Sequence, residues 1–274
     1  MRKLNCRLIV SDFDGTLIDD NQTILPKVKQ AIDEYVSNGG IFAVCTGRML
    51  RSILPQVKKL GLRGLVIAYQ GTVIADIESG KIIKNGGMPY EDIAEICRVL
   101  ESLNQPINIY SDNLLYTDIE EGNEYLELYE KIVEVKAEHV CGKMSDFVEK
   151  EKLFCQKVAI LVKSEERDEL YNTLKERLGS RFDVTCSASV LVEVSPLGDN
   201  KGEALKYLAD YYNIPLELTV AAGDNLNDLP MILVAGTGVA VGNAAPALKK
   251  AATFVSVTNN EGALAQIVEK FGFA

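Results

Sequence analysis

The sequence has no tryptophan and a single histidine, and its six cysteines are dispersed along 274 residues. The histidine, His139, lies far along the chain from every polar motif described below, which argues against a Ser-His-Asp or Cys-His catalytic apparatus. No Cys-x-x-Cys pair occurs, so the pattern indicates neither a zinc site nor a disulfide framework. Reduced thiols favour a cytoplasmic protein.

The sequence also lacks an excess of basic residues, and it lacks long apolar runs. The chain carries 29 lysines and arginines against 39 acidic residues, for a formal net charge of −10. Attraction to nucleic acid or to an anionic membrane surface therefore has no general basis. No apolar run reaches the ~18 residues of a membrane span, and the amino terminus lacks a signal-peptide core. We therefore expect neither nucleic acid nor membrane as a partner, and any phosphate must be held locally. The oligomeric state has no signal in the sequence.

The chain has the length of two ordinary domains, at ~150 residues each. Short apolar strands alternate with helical spacings at its start, as in a parallel α/β sheet, and the same rhythm returns from Lys201. Between them the pattern changes to a hairpin, with Asp112-Asn113 as its turn, and to helices, one of them with Ser164 as its predicted N-cap. The simplest arrangement is α/β, with a Rossmann-like parallel sheet core and an inserted α+β domain. The predicted core comprises residues 1–84 and 196–274, and the predicted insertion comprises residues 85–195.

The first polar motif, Asp12-Phe13-Asp14-Gly15-Thr16, begins where the first predicted strand ends. Residues i and i+2 of an extended segment point the same way, so Asp12 and Asp14 can converge on one cavity. Two close carboxylates repel each other unless a cation lies between them. The motif therefore predicts a metal site or an acid/base pair. An ordinary Asp-Gly turn is the alternative.

Two further segments are candidate anion-binding sites. Thr46-Gly47-Arg48 follows the second predicted strand, where a hydroxyl and free backbone N–H groups could receive a phosphate. Thr46 could equally serve only as a helix N-cap. Lys201 begins a helix, whose positive dipole end disfavours a cation unless an anionic ligand is bound. A solvated surface lysine is the alternative.

The last motif, residues 223–228, reads Gly-Asp-Asn-Leu-Asn-Asp and again follows an apolar strand. Helix capping explains one of its polar side chains, Asn227 or Asp228, but not four. Carboxylate oxygens such as Asp224 from the ends of two strands, without histidine or thiolate, would select Mg²⁺ over zinc. The two acidic motifs therefore predict a magnesium site.

The four motifs, in this order, resemble those of the haloacid dehalogenase superfamily of phosphatases. The matching segments are Asp12-Phe-Asp14-Gly-Thr, Thr46-Gly-Arg, Lys201-Gly and Gly223-Asp224-Asn225-Leu-Asn227-Asp228. The long insertion, with Gly238-Val-Ala-Val-Gly-Asn243-Ala and Thr258-Asn-Asn-Glu261-Gly262, resembles the Cof-type branch, which has a large α/β cap. The resemblance covers nearly the whole chain.

This resemblance implies a role for each matching residue. Asp12 is the implied nucleophile, which forms an aspartyl phosphate, and Asp14 is the implied general acid and base. Asp228 is expected to support Lys201 or the metal without touching substrate. The implied Mg²⁺ ligands are Asp12, Asp14 through its backbone carbonyl, and Asp224. The implied phosphoryl-binding groups are Thr46, the Gly47 amide, Lys201 and Asn227.

The sequence thus predicts a cytoplasmic Mg²⁺-dependent phosphatase of small phosphorylated metabolites, with sugar phosphates as the favoured class. A phosphosugar mutase or other phosphotransferase, and a non-enzymatic phospho-aspartate receiver, are the alternatives. A receiver has no use for Asp14 or for a large insertion. Two departures from the family pattern, Gln70-Gly71-Thr72 in place of Asn-Gly-Ala and Asn260 in place of an aspartate, concern substrate contacts rather than phosphoryl chemistry.

Overall fold

The computed structural model describes residues 2–133, 135–188 and 190–274. In chain order, its strands are β1 (Leu8–Asp12), β2 (Ile41–Cys45), β3 (Leu65–Ala68), β4 (Val73–Asp76), β5 (Ile82–Asn85), β6 (Asn108–Ser111), β7 (Leu114–Thr117), β8 (Ala137–His139), β9 (Cys155–Leu161), β10 (Phe182–Ala188), β11 (Leu191–Pro196), β12 (Thr219–Gly223), β13 (Thr237–Ala240) and β14 (Phe254–Val255). Its α-helices are α1 (Pro26–Ser37), α2 (Leu50–Lys59), α3 (Tyr90–Ser102), α4 (Glu124–Val133), α5 (Met144–Glu151), α6 (Arg167–Leu178), α7 (Lys201–Tyr211), α8 (Leu229–Val234), α9 (Pro246–Ala251) and α10 (Ala263–Ile267).

The chain divides into two compact units. The core unit comprises the residues up to Gly47, Leu54–Ile83 and Asn200–Ala274. The inserted unit comprises Arg48–Ile53 and Lys84–Asp199. None of the described helices has the length and apolar character that crossing a membrane would require.

The core unit is organised around a sheet with the strand order β14-β13-β12-β1-β2-β3-β4-β5. Strands β14 to β3 run parallel, and β4 pairs with β3 in the antiparallel direction. The central strands β1 and β12 are mostly apolar and are buried along their whole length, because helices cover both faces of such sheets. Strand β1 lies between β2 and β12, so the order along the sheet reverses beside it. The crevice at such a reversal is where open α/β sheets bind ligands.

The register places the polar motifs side by side. Leu8 of β1 pairs with Thr219 of β12 on one side and with Ile41 of β2 on the other. At the far end of β1, Asp12 pairs with Cys45, the last residue of β2. Because these strands are parallel, their carboxyl ends meet at one edge of the sheet, where the motifs of Asp12, Thr46 and Asp224 begin.

The inserted unit contains a second sheet, with the order β10-β11-β9-β6-β7-β8. Its pairs are antiparallel apart from β7 and β8. A buried apolar cluster contributed by this sheet and by α3, α5 and α6 forms the core of the unit. The predicted hairpin is formed by β6 and β7, and its turn residues Asp112 and Asn113 both have positive φ, as a type I′ turn requires.

The fold class is confirmed as α/β with an inserted α+β unit. One local prediction is wrong: the sequence suggested Ser164 as the N-cap of the helix after β9, but α6 has Glu166 at its N-cap. That side chain makes no capping hydrogen bond, so the helix start is not marked by a capping residue. Helices α4 and α5 and strand β8 of the inserted unit were not predicted.

Candidate active site

A sharp turn follows β1 and carries the first acidic pair. The segment Phe13–Leu17 forms a single turn of π-helix, interrupted by Gly15 at φ +72°. The positive φ of Gly15 favours glycine, and a Cβ there would also lie only 3.0 Å from Asp224 Oδ2. Asp12 is the last residue of β1, and Asp14 is half-buried in the turn directly after it.

Three carboxylates meet at the end of the central strands. One oxygen from each of Asp12, Asp224 and Asp228 lies within 4.8 Å of the others. Lys201 lies among them, with its Nζ 2.5 Å from Asp12 Oδ1 and 2.5 Å from Asp228 Oδ1. Lys201 has no exposed surface, and Asp12 is 6% exposed. The cluster therefore holds one buried cation between two buried carboxylates.

Helix α7 fixes the position of Lys201. Asn200 caps this helix, because its side-chain oxygen accepts hydrogen bonds from the backbone N–H groups of Gly202 at 2.9 Å and Glu203 at 3.1 Å. Lys201 is thus the first helical residue. Burial by itself lowers the pKa of Lys201, but the adjacent carboxylates of Asp12 and Asp228 outweigh burial and raise it. The lysine is therefore a permanent cation at neutral pH.

The carboxylate of Asp228 is fully hydrogen-bonded to other groups of the protein. Its Oδ1 accepts from Lys201, and its Oδ2 accepts from the backbone N–H groups of Asp224 at 2.8 Å and Asn225 at 2.9 Å. Both carboxylate oxygens therefore have protein donors. The contacts fit the predicted supporting role of Asp228, in which it fixes the loop that carries Asp224.

Burial and repulsion between the carboxylates both raise the pKa values of Asp12 and Asp224. The pKa of Asp12 is raised well above its usual range, first by burial and then by Asp228 and Asp224, although Lys201 opposes the shift. The pKa of Asp224 is also raised, by burial and by Asp228. Thr16 donates a hydrogen bond from Oγ1 to Asp224 Oδ1 at 3.0 Å. Three carboxylates against one lysine leave a negative site whose hard oxygen donors suit a divalent cation.

The predicted phosphoryl-binding residues lie around this cluster in the core unit. Thr46 and Gly47 follow β2, and the Thr46 N–H donates to the carbonyl of Ile67 at 2.9 Å. Asn227 lies one residue before Asp228 and donates from Nδ2 to Gln70 Oε1 at 3.1 Å. Strand register brings the Thr46 loop beside Asp12.

Two residues of the site have roles that the sequence did not reveal. Asn243 donates from Nδ2 to the carbonyl of Gly15 at 2.8 Å and accepts from the Asn259 N–H at 3.0 Å. It therefore links the turn after Asp12 to the segment at 258–262. The family resemblance had marked the segments 238–244, which contains Asn243, and 258–262 without giving either a role. Gln70 is the second such residue. Its only signal in the sequence was its departure from the Asn-Gly-Ala pattern.

Known proteins match this chain over nearly its whole length. A family model described as haloacid dehalogenase-like hydrolase matches residues 9–268. A protein of Haemophilus influenzae named "Putative phosphatase" is 33% identical, over 96% of this chain and 97% of its own length. An "HMP-PP phosphatase" of Serratia proteamaculans is 28% identical, over 89% of this chain and 86% of its own length. A crystal structure of a Thermotoga maritima protein has a TM-score of 0.83 at 32% identity and covers 98% of both chains.

These matches confirm the resemblance that the four motifs carried. They extend from β1 through the insertion to the last helices, so they concern the fold and not one motif alone. The chain belongs to the haloacid dehalogenase-like hydrolase family and is a phosphoric monoester hydrolase of that family.

Proposed function

We propose that the protein is a cytoplasmic Mg²⁺-dependent phosphatase that hydrolyses small phosphorylated metabolites, with sugar phosphates as the favoured class. A catalytic core of residues 1–84 and 196–274 with a cap of residues 85–195 is part of this proposal. The observation that carries it is the buried cluster at the end of β1, in which Lys201 holds the Asp12 carboxylate beside Asp224. No nucleic acid or membrane is a partner in this proposal.

The metal would be held by hard oxygen ligands from the two acidic loops. Asp12 and Asp224 would contribute carboxylates, and Asp14 its backbone carbonyl. Asp228 is a poor candidate, because both of its oxygens already accept hydrogen bonds from protein donors. When bound, Mg²⁺ supplies positive charge that reduces the repulsion between the Asp12 carboxylate and an anionic phosphoryl group.

Asp12 is the proposed nucleophile. Its carboxylate oxygen would attack phosphorus, and the bond from phosphorus to the substrate oxygen would break, with Asp14 donating its proton to the leaving alcohol. In the second half, Asp14 would take a proton from a water molecule as that water attacks phosphorus, and the Asp12–phosphorus bond would break. The contact from Lys201 to Asp12 Oδ1 holds the carboxylate in one orientation for both steps.

Four donors are proposed to bind the phosphoryl oxygens: the Thr46 hydroxyl, the Gly47 amide, Lys201 and Asn227. Negative charge on these oxygens is stabilised best by donors that are already oriented and shielded from water. Thr46 and Lys201 are both buried, and Asn227 is held by Gln70. The support for this set is that Lys201 contacts Asp12 and Asp228, that Thr46 and Gly47 follow Cys45, the register partner of Asp12, and that Asn227 directly precedes Asp228.

A phosphate-release screen tests the proposal. We expect the purified protein to release inorganic phosphate from phosphosugars in the presence of Mg²⁺, with higher kcat/KM than from nucleotides, and to lose this activity with a chelator. HMP-PP belongs in the panel, because one relative is named for it. Isomerisation of a phosphosugar without phosphate release would indicate a mutase instead. Undiminished release in the chelator would contradict the metal requirement.

Mg²⁺ is expected to stabilise the protein more at high pH than at low pH. The folded-state pKa values of Asp12 and Asp224 are raised, so these groups stabilise the metal-free fold below their unfolded pKa of about 3.9 and lose that contribution as pH rises through the folded values. Mg²⁺ competes with the same protons. At about 100 times Kd it should add ~2.7 kcal/mol, or roughly 5–10 °C in Tm.

Thermal denaturation with and without Mg²⁺ between pH 5 and pH 8 measures this effect. Asp224→Asn should abolish the increase in Tm, whereas Asp210→Asn, at an exposed position on α7, should preserve it. An increase in Tm that is the same at every pH would contradict the assignment of these two carboxylates as ligands.

A further inference from the structure

The turn after β3 has an unusual backbone. Tyr69 and Gln70 are consecutive non-glycine residues in the left-handed region, with φ values of +50° and +60°. Side chains rarely adopt this conformation, and it persists where the surrounding structure imposes it, often beside a functional site. Gly71 follows at φ +124°, and a Cβ there would lie 2.5 Å from the carbonyl oxygen of Asn200. The turn is therefore packed against the residue that precedes Lys201.

This conformation places Gln70 between the two parts of the proposed phosphoryl site. Its backbone N–H donates to the carbonyl of Thr46 at 3.0 Å. Gln70 is 7% exposed, and a Cβ on Gly47 would lie 2.4 Å from Gln70 Nε2, so the amide fills the space above that glycine. From the other side, Gln70 Oε1 accepts a hydrogen bond from Asn227 Nδ2 at 3.1 Å. One side chain thus contacts residues of both loops.

The hydrogen bond to Gln70 also decides how Asn227 is oriented. A carboxamide has a donor end and an acceptor end, and only the donor end can bind a phosphoryl oxygen. Because Gln70 Oε1 engages one hydrogen of Asn227 Nδ2, the amide is held in place and its nitrogen keeps a second hydrogen. A side chain that offers no acceptor here would leave Asn227 free to rotate its amide.

The contact between Gln70 and Asn227 is accompanied by features that destabilise the fold. Gln70 Nε2 and Asn227 Oδ1 are both buried without a hydrogen-bond partner among the described residues. Unpaired buried polar atoms are destabilising, and so is the left-handed backbone at Tyr69 and Gln70. Several unfavourable features thus gather at Gln70, which contacts the proposed phosphoryl-binding residues Gly47 and Asn227, and they indicate a functional constraint.

We propose that Gln70 is a positioning residue for phosphoryl binding, which acts by orienting the amide of Asn227. This inference rests on the proposed function, because it assigns Asn227 to the phosphoryl group. It gives the departure from the Asn-Gly-Ala pattern a role on the phosphate side of the site.

A double-mutant cycle tests the proposal, with the inhibition constant of inorganic phosphate as the readout. Gln70→Met keeps the length of the side chain and removes its hydrogen-bonding groups. We expect it to raise the inhibition constant about tenfold in the parent, the equivalent of one hydrogen bond. In an Asn227→Ala background we expect less than about a twofold change, because the residue through which Gln70 acts is gone. A purely structural role would give equal changes in both backgrounds.

Gln156→Met is the matched control. Gln156 is 3% exposed and lies in β9 of the inserted unit, and its Oε1, like Nε2 of Gln70, has no hydrogen-bond partner in the described part of the chain. Its replacement should change Tm about as much as Gln70→Met does and leave phosphate inhibition unchanged. If Gln70→Met does not fold, Gln70→Asn enters the same cycle, since asparagine tolerates the left-handed backbone better.

Equal effects in the two Asn227 backgrounds, or no effect in either, would overturn the inference about Gln70. Failure of the proposed function gives a different result: the parent would release no phosphate from any ester in the presence of Mg²⁺, and no inhibition constant would be measurable.

Discussion

Replacement of Asp12 by asparagine is expected to lower kcat for phosphate release by about 10⁴-fold or more. The neutral amide is a very poor nucleophile toward phosphorus, and it also removes one negative charge from the proposed metal site. The size and shape of the side chain are retained, and its carbonyl oxygen can still accept from Lys201. Phosphate release at saturating substrate and Mg²⁺ measures the effect, and an unchanged melting temperature would show that the loss is chemical.

Two further variants sharpen this test. Asp210→Asn makes the same chemical change at an exposed position of α7 and should have the activity of the parent. Asp14→Asn should lower kcat by about 10²–10⁴-fold, the usual range for a general acid and base. With a substrate that has a good leaving group, Asp14→Asn protein should also accumulate phosphate on Asp12, detectable by mass spectrometry of rapidly quenched samples. Turnover by Asp12→Asn protein at the parent rate would contradict the mechanism.

Replacement of Lys201 by methionine is expected to impair both the fold and the reaction. Lys201 is fully buried between Asp12 and Asp228, so its removal leaves two buried carboxylates without their cation. Breaking a buried pair in this way typically costs about 3–5 kcal/mol, or roughly 10 °C in Tm. The same change removes a proposed donor to the phosphoryl group and the contact that orients Asp12. Thermal denaturation in metal-free buffer and kcat with Mg²⁺ measure the two losses.

The loss of stability should depend on pH. Lys201 lowers the pKa of Asp12, so without it that pKa rises further. A carboxyl group with a raised folded-state pKa stabilises the fold at low pH and loses that contribution as pH rises. The difference in Tm between parent and variant should therefore shrink from pH 8 toward pH 5. Lys157→Met is the matched control: Lys157 pairs with Glu193, also buried, in the inserted unit. It should reduce stability without removing Mg²⁺-dependent stabilisation, and a difference in Tm that grows toward low pH would contradict the role given to Lys201.

The sequence was most informative where residues able to take part in chemistry stand at the ends of predicted strands. Asp12 ends a short strand, Thr46 and Asp224 directly follow two others, and parallel strands bring their carboxyl ends to one edge of a sheet. The local pattern was therefore sufficient to predict the parallel core, the insertion and the grouping of acidic residues. It was insufficient inside the insertion, where it did not predict α4, β8 and α5. These elements depend on contacts that join residues far apart in the chain.

By itself, the sequence determined which residue types stand at which strand ends, and so the class of chemistry the protein performs. Only the tertiary structure decided which of them touch. Lys201 and Asp12 are 189 positions apart, and the register of β1 against β12 and the packing of α7 bring them together. The same holds for Gln70 and Asn227, 157 positions apart. Local spacing sets the direction of a side chain along its own strand or helix, but distances between elements arise when the buried faces of the sheet and helices pack, and that packing depends on the whole chain.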